Sequence, residues 1–166
     1  MPSLLRLFRK NLPRNRVRKP GTLESFKNQQ WWKNGLFFEC VGCGRCCRGE
    51  PGAIWFTPEE GCAIAASLGI SFEDFFASRV TSVGGRPSIR EHRNGDCIFL
   101  DPERQRCRIY AVRPAQCRLF PFWPSVLASP ERWAAHARSC PGMNRGRRYE
   151  ETEIAAFLRK SPFKDL

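Results

Sequence analysis

The segment FFECVGCGRCCRGE, residues 37–50, sets four cysteines within eight positions, and two of them, Cys46 and Cys47, are adjacent. Thiols at that density either oxidise to disulfides or coordinate a metal, so any fold open to this chain has to give them a common purpose. Nine cysteines occur in 166 residues, and an odd number cannot pair completely within one chain. The first twenty residues, MPSLLRLFRKNLPRNRVRKP, carry a short apolar patch (Leu4, Leu5, Leu7, Phe8) interrupted by Arg6 and Arg9. A secretory signal needs an unbroken apolar run of about 7–15 residues and a small-residue cleavage site, and neither is there. No stretch approaches the ~18 apolar residues of a membrane-crossing helix. The expectation is a soluble, cytoplasmic protein. In that compartment thiols stay reduced, and clustered cysteines bind metal more often than they build a disulfide framework.

The formal net charge of +12 invites a nucleic-acid reading, but its distribution weakens it. Residues 1–35 hold nine Lys/Arg against one acid, Glu24, so eight of the twelve positive charges lie there. With Pro13 and Pro20 breaking any regular element, this stretch reads as a disordered basic N-terminal arm. Such an arm can attract an acidic protein, RNA or an anionic membrane surface by screened Coulomb forces, or act only as a solubilising tail. The other four charges are offset if two divalent ions sit in four thiolates each, since each such site carries a net −2. The domain reading is therefore 1–35 as the arm, 36–145 as a cysteine-cluster domain, and 146–166 as a C-terminal helix and tail.

Local patterns predict a small, irregular, metal-stabilised α+β domain. Trp31 and Trp32 open the ordered part. In TPEEGCAIAASLGI, Thr57 is an N-cap, Pro58 suits the first turn, Glu59 and Glu60 favour the helix dipole, and Gly69 stops the helix. Ala63, Ile64 and Leu68 are its expected apolar face. Ser71 with Asp74 three residues on resembles a capping box and restarts a second helix. PSIREHRNGDCIFL places Asn94-Gly95 between two candidate strands, a hairpin signal. CRIY reads as a third short strand, giving a short antiparallel hairpin or meander. VRPAQCRLFPFWP holds too many prolines for a long element. Further helices are expected from Pro130 to about Arg138, capped by Ser129, and from Glu150 to Lys160.

Cys40, Cys43 and Cys46 form C-x-x-C-x-x-C with Gly42 and Gly44 between them. A metal-binding loop must curl so that several sulfurs converge, and glycine permits the positive φ this needs. The spacing serves zinc and iron–sulfur loops alike, so it is specific for metal and silent on which one. Cys97, Cys107, Cys117 and Cys140 each lie near the end of an element, where a side chain can be aimed at a shared centre. Cys62, in mid-helix beside Ala65 and Ala66, reads as a small core residue. Without it eight thiols remain, the number that two four-thiolate sites require. Adjacent Cys46 and Cys47 are expected to serve different ions, or one of them to bridge. The alternative is a single ion held by the first four.

CVGCGRCC, then GDCIFLDPERQRCRIYAVRPAQCRLFPFWP, then a tryptophan followed by SCPG, resembles the YkgJ-type cysteine-cluster proteins, the CxxCxxCC family of zinc- or iron-chelating domains. The resemblance spans roughly residues 37–142. It implies chelation by Cys40, Cys43, Cys46 and Cys47, with Cys97, Cys107, Cys117 and Cys140 as the matching downstream positions. Cys62 falls outside the pattern.

In YAVRPAQC, Arg113 can donate to thiolates or to an anionic ligand through its fork of donors, which makes it the cofactor-binding candidate. Phe120, Pro121, Phe122, Trp123 and Pro124 are expected to shield the site from water. His92 lies among charges. His136, four residues before Cys140, can share its helix face but is not needed where thiols abound. No Ser/His/Asp arrangement, Walker loop or G-x-G-x-x-G occurs. The expected cofactor is zinc or iron, a [4Fe-4S] cluster included, because C-x-x-C-x-x-C with a distant Cys140-Pro141 is similar to iron–sulfur ligation. The centre is expected to be structural, electron-transferring or a platform for a partner. The alternatives are an enzyme or accessory subunit with an open metal position, and a zinc-stabilised nucleic-acid binder.

Overall fold

Side-chain capping decides where the helices begin. In the computed structural model, which describes residues 30–49, 52–163 and 166, helix α1 spans Pro58–Leu68. Thr57 Oγ1 accepts from the Glu60 N–H while Glu60 Oε2 accepts from the Thr57 N–H, a complete capping box. Gly69 ends the helix in the left-handed region at φ 69°. Its buried face is Gly61, Ile64 and Ala65 rather than Ala63 and Leu68, because Gly61 brings the helix against the rings of Phe56 and Phe72. Ser71 caps α2 (Phe72–Arg79), and Ser129 caps α5 (Pro130–Ser139). Short helices α3 (Ala115–Leu119) and α4 (Pro124–Leu127) occupy the proline-rich segment, and α6 covers Glu151–Lys160.

The strands form three separate antiparallel pairs. β1 (Leu36–Phe38) pairs with β6 (Arg147–Tyr149), with Leu36 opposite Tyr149. β2 (Val80–Val83) and β3 (Arg86–Ile89) form a hairpin, and β4 (Leu100–Asp101) pairs with β5 (Arg106–Cys107). The hairpin closes at Gly84-Gly85, not at the expected Asn94-Gly95. Gly84 and Gly85 both take positive φ (60° and 75°), as a two-residue hairpin turn demands. Around Asn94-Gly95 the chain also turns, but only Glu91 and Cys97 bridge. On either side of that bridge the His92 N–H donates to the Asp96 carbonyl at 2.7 Å and the Ile98 N–H to the Arg90 carbonyl at 3.2 Å, so the Cys97 N–H faces away from the pair and donates to the Cys47 carbonyl, at 2.9 Å.

Two hydrophobic cores result. The first gathers Phe56, Ile64, Phe72, Phe75, Val80, Ile89, Phe99 and Ile109 around α1, α2 and the hairpin. The second gathers Trp32, Leu36, Phe38, Phe122, Val126, Trp133, Met143 and Ile154. The architecture is α+β, as expected. The predicted arm lies outside the described residues except for 30–35, where Trp32 is buried in the second core. No helix among the described residues is long and apolar enough to cross a membrane.

Candidate metal centre

The cysteine loop leaves β1 at Cys40 and curls through Gly42 and Gly44, both left-handed (φ 66° and 67°). A 3₁₀ turn at Arg45–Cys47 follows, closed by the Cys47 N–H donating to the Gly44 carbonyl at 3.0 Å. Gly44 is required for space as well as for φ. A Cβ there would lie 2.5 Å from the Gln105 carbonyl oxygen, so the loop packs directly on the β4–β5 turn. That contact, with the Cys97-to-Cys47 hydrogen bond, brings the loop beside Cys97 and Cys107. On its other side the Glu39 N–H donates to the Gly142 carbonyl at 3.0 Å, and a Cβ on Gly142 would collide with the Glu39 carbonyl. This registers Cys40 against the segment that follows Cys140, whose N–H closes α5 on the His136 carbonyl at 3.0 Å. Cys117 arrives on α3.

The result is one cavity of about 810 Å³ between the two cores, bordered by all eight predicted cysteines. Cys62 is not on its lining; it packs against the first core instead. All nine cysteines are free thiols. The eight ring the cavity rather than closing on a point: among the described residues, no three His, Cys, Asp or Glu side chains stand together closely enough to hold an ion as placed. The Cys46 and Cys47 sulfurs are 3.9 Å apart. Four sulfurs ~2.3 Å from a tetrahedral ion are themselves ~3.8 Å apart, so this pair can share one ion as readily as serve two. The donor set is sulfur throughout, which suits zinc and iron.

Electrostatics inside the cavity follow from burial. Hydrogen bonding with Cys47 lowers the Cys46 thiol to about 7, against burial and with help from the Arg113 charge. Cys47 is pushed up by the same bond and by burial. Burial raises Cys97 to about 11 and also raises Cys107, Cys117 and Cys140. A bound cation would reverse that sign, since it favours the thiolate that burial disfavours. Arg113 is the arginine whose charge acts on Cys46, Cys107 and Cys117. Its guanidinium lies 3.6 Å over the Tyr110 ring, and its Nε donates to the Tyr110 carbonyl at 3.0 Å. Tyr110, which sequence reasoning passed over, lines the same cavity, and the neighbouring Cys40 thiol raises its hydroxyl above the ordinary value. Its position three residues before Arg113 in a tight turn was the available signal. Phe120 and Trp123 line the cavity as expected, whereas His136 does not and packs on Phe120.

With the site assembled, residues 39–141 match a family model described as "CxxCxxCC: putative zinc- or iron-chelating domain". The chain belongs to the CxxCxxCC family. The chain is also similar to the uncharacterized protein MJ0661 of Methanocaldococcus jannaschii, at 36% identity over 89 residues, which cover 54% of this chain and 47% of that protein. The chain thus spans about half the length of this curated relative. No solved structure matches it. The CxxCxxCC domain is a metal-chelating one, and the matched residues run from just before Cys40 to just after Cys140.

Proposed function

We propose that Cys40, Cys43, Cys46, Cys47, Cys97, Cys107, Cys117 and Cys140 hold zinc or iron in one shared thiolate centre that ties the two cores together. The observation that carries this reading is the common cavity: eight thiols from five separate segments border it, and the ninth does not. A shared centre is favoured because the Cys46 charge acts on Cys47, Cys97, Cys107, Cys117 and Cys140 alike. Zinc bound there would supply a closed structural tie, and iron, including an iron–sulfur cluster, an electron-transferring one. Arg113 neutralises part of the thiolate charge from its seat on Tyr110. Nine free thiols support a reducing compartment such as the cytoplasm.

Anaerobic purification followed by elemental and sulfide analysis tests the centre. A colourless protein with zinc marks closed thiolate sites, a brown one with acid-labile sulfide marks iron–sulfur, and a fully folded metal-free protein overturns the reading. The basic arm is proposed as a separable element for an acidic protein, RNA or anionic membrane, on the strength of its charge. Deleting residues 1–30 should abolish salt-sensitive binding to RNA or anionic vesicles while metal content stays.

A further inference from the structure

The cavity is far larger than a metal requires. Four sulfurs ~2.3 Å from an ion enclose on the order of 10 Å³. The space between the cores is about 810 Å³. What remains is of the size that takes small organic ligands, roughly 300–1,000 Å³.

Its walls away from the sulfurs are apolar and fixed. Gln116, only 4% exposed, sets two of them. Its Oε1 accepts from the Trp55 backbone N–H at 2.8 Å, its Nε2 donates to the Ala53 carbonyl at 2.6 Å, and its own carbonyl accepts from Trp123 Nε1 at 2.8 Å. Trp55 Nε1 donates to the Val83 carbonyl at 3.2 Å. Both indole N–H groups are therefore committed; the Arg86 guanidinium covers one face of Trp55 at 3.4 Å and Phe163 packs on it at 5.9 Å, so what these two lining residues offer a ligand is the Trp123 ring and the cavity-side surface of Trp55. Phe120 packs edge-on to Trp123 at 5.2 Å and continues the wall.

The charged groups on the lining favour an anion. Arg113, Arg48 and Arg106 border the cavity, and none of the three has a carboxylate partner among the described residues, whereas Arg108, Arg118, Arg147 and Arg148 do. The acid on the lining, Glu91, accepts from the Gly52 N–H at 3.1 and 3.3 Å. Arg113 is the best placed, because stacking on Tyr110 fixes the plane of its fork. Val41 and Tyr110, 54% and 45% exposed, lie on the solvent side of the lining.

We propose that the cavity binds a small aromatic acid beside the metal, its flat body against Trp55 and Trp123 and its carboxylate on Arg113. The proposal rests on the metal reading only for what occupies the thiol side of the cavity. Calorimetric titration of the metal-loaded full chain with 2-naphthoate and with its uncharged analogue 2-naphthamide tests it. The acid should saturate one site per chain and bind roughly tenfold tighter than the amide, the ratio expected of one charge-assisted hydrogen-bond pair. Arg113→Met, compared at equal metal loading, should erase that preference, and Trp123→Leu should weaken both ligands. No saturation at millimolar concentration, or equal binding of acid and amide to the unaltered chain, overturns the proposal, and that comparison needs no variant to fold. Metal analysis of the same samples separates the two readings. Acid preference in a metal-free chain keeps the pocket and sinks the metal centre; full metal without the preference does the reverse.

Discussion

The core around Phe75 and the core around Phe122 are assembled from different kinds of sequence. In the first, α1, α2 and the β2–β3 hairpin follow one another directly, each with its own cap or turn, so local rules place nearly every buried ring. In the second, Trp32 and β1 from one end of the described chain meet β6 and α6 from the other, with Phe122 and Trp133 between. Closing so long a loop costs only ~0.6 kcal/mol more per doubling of length, but strands of three residues return little against it. The cysteines supply what the second core lacks. Cys40 follows β1, Cys140 precedes β6, and both line the same cavity as Cys47, Cys97 and Cys107, which pack with the first core. A metal shared among them, as proposed, would fasten the non-local half of the molecule to the local half.

Removing the metal is the sharpest way to break this comparison. Structural thiolate zinc contributes apparent binding energies of ~10–16 kcal/mol, as large as the whole stability of an ordinary domain. Chelation should abolish the cooperative melt, and amide exchange should show β1 and β6 losing protection before α1. A chelated protein with full circular dichroism and an unchanged melting temperature would show that the second core stands alone. Next in size, Cys43→Ser and Cys117→Ser should each lower metal stoichiometry, whereas Cys62→Ala should leave it unchanged. Equal metal loss from Cys62→Ala would end the eight-thiol count.

The same contrast explains what could be read in the sequence. Thr57, Ser71 and Ser129 each announced a helix because a cap is a contact between residues three apart. Gly42 and Gly44 announced the curl of the loop, since φ is set by the residue itself. Asn94-Gly95 does turn the chain, but only one bridge forms there while the paired strands close at Gly84-Gly85, and the outward Cys97 N–H goes to Cys47, a partner fifty residues away that no local pattern contains. The pairing of Leu36 with Tyr149, and the role of Gln116 between two tryptophans, are likewise long-range and left no local trace. The cysteines are the exception. Their chemistry calls for convergence whatever lies between them, so all eight lining positions were legible while the path that brings them together was not.

Proton release measures the metal's hold on each side. At pH 7 Cys97, raised to about 11 by burial, and Cys107, Cys117 and Cys140, raised by the same cause, carry their protons in the metal-free chain. Coordination requires thiolates, so binding must expel those protons, and affinity must rise with pH and fall as pH drops. Each proton released changes the apparent affinity about tenfold per pH unit. Cys46, at about 7, is half ionised at that pH and contributes less. Calorimetric titrations in buffers of different ionisation enthalpy should diverge accordingly. Buffer-independent heats would mean that the buried thiols of the first core do not bind.

The smallest effects separate a cap from a strut. Glu60 completes the capping box of α1, but its Oε1 also accepts from the Ala115 N–H at 2.6 Å and from Arg118 at 3.2 Å, which anchors the short helix carrying Cys117. Glu60→Ala removes all three contacts and should cost roughly 2–3 kcal/mol while loosening metal retention. Thr57→Ala removes only the bond to the Glu60 N–H and should cost about 1 kcal/mol, with metal content and chelator-driven release rate unchanged. Denaturant melts and metal-release rates on the two variants give the comparison directly. Had the cores been independent, both substitutions would destabilise α1 and neither would touch the metal. A faster release in Glu60→Ala alone is the outcome that makes Glu60 the strut between the first core and the centre.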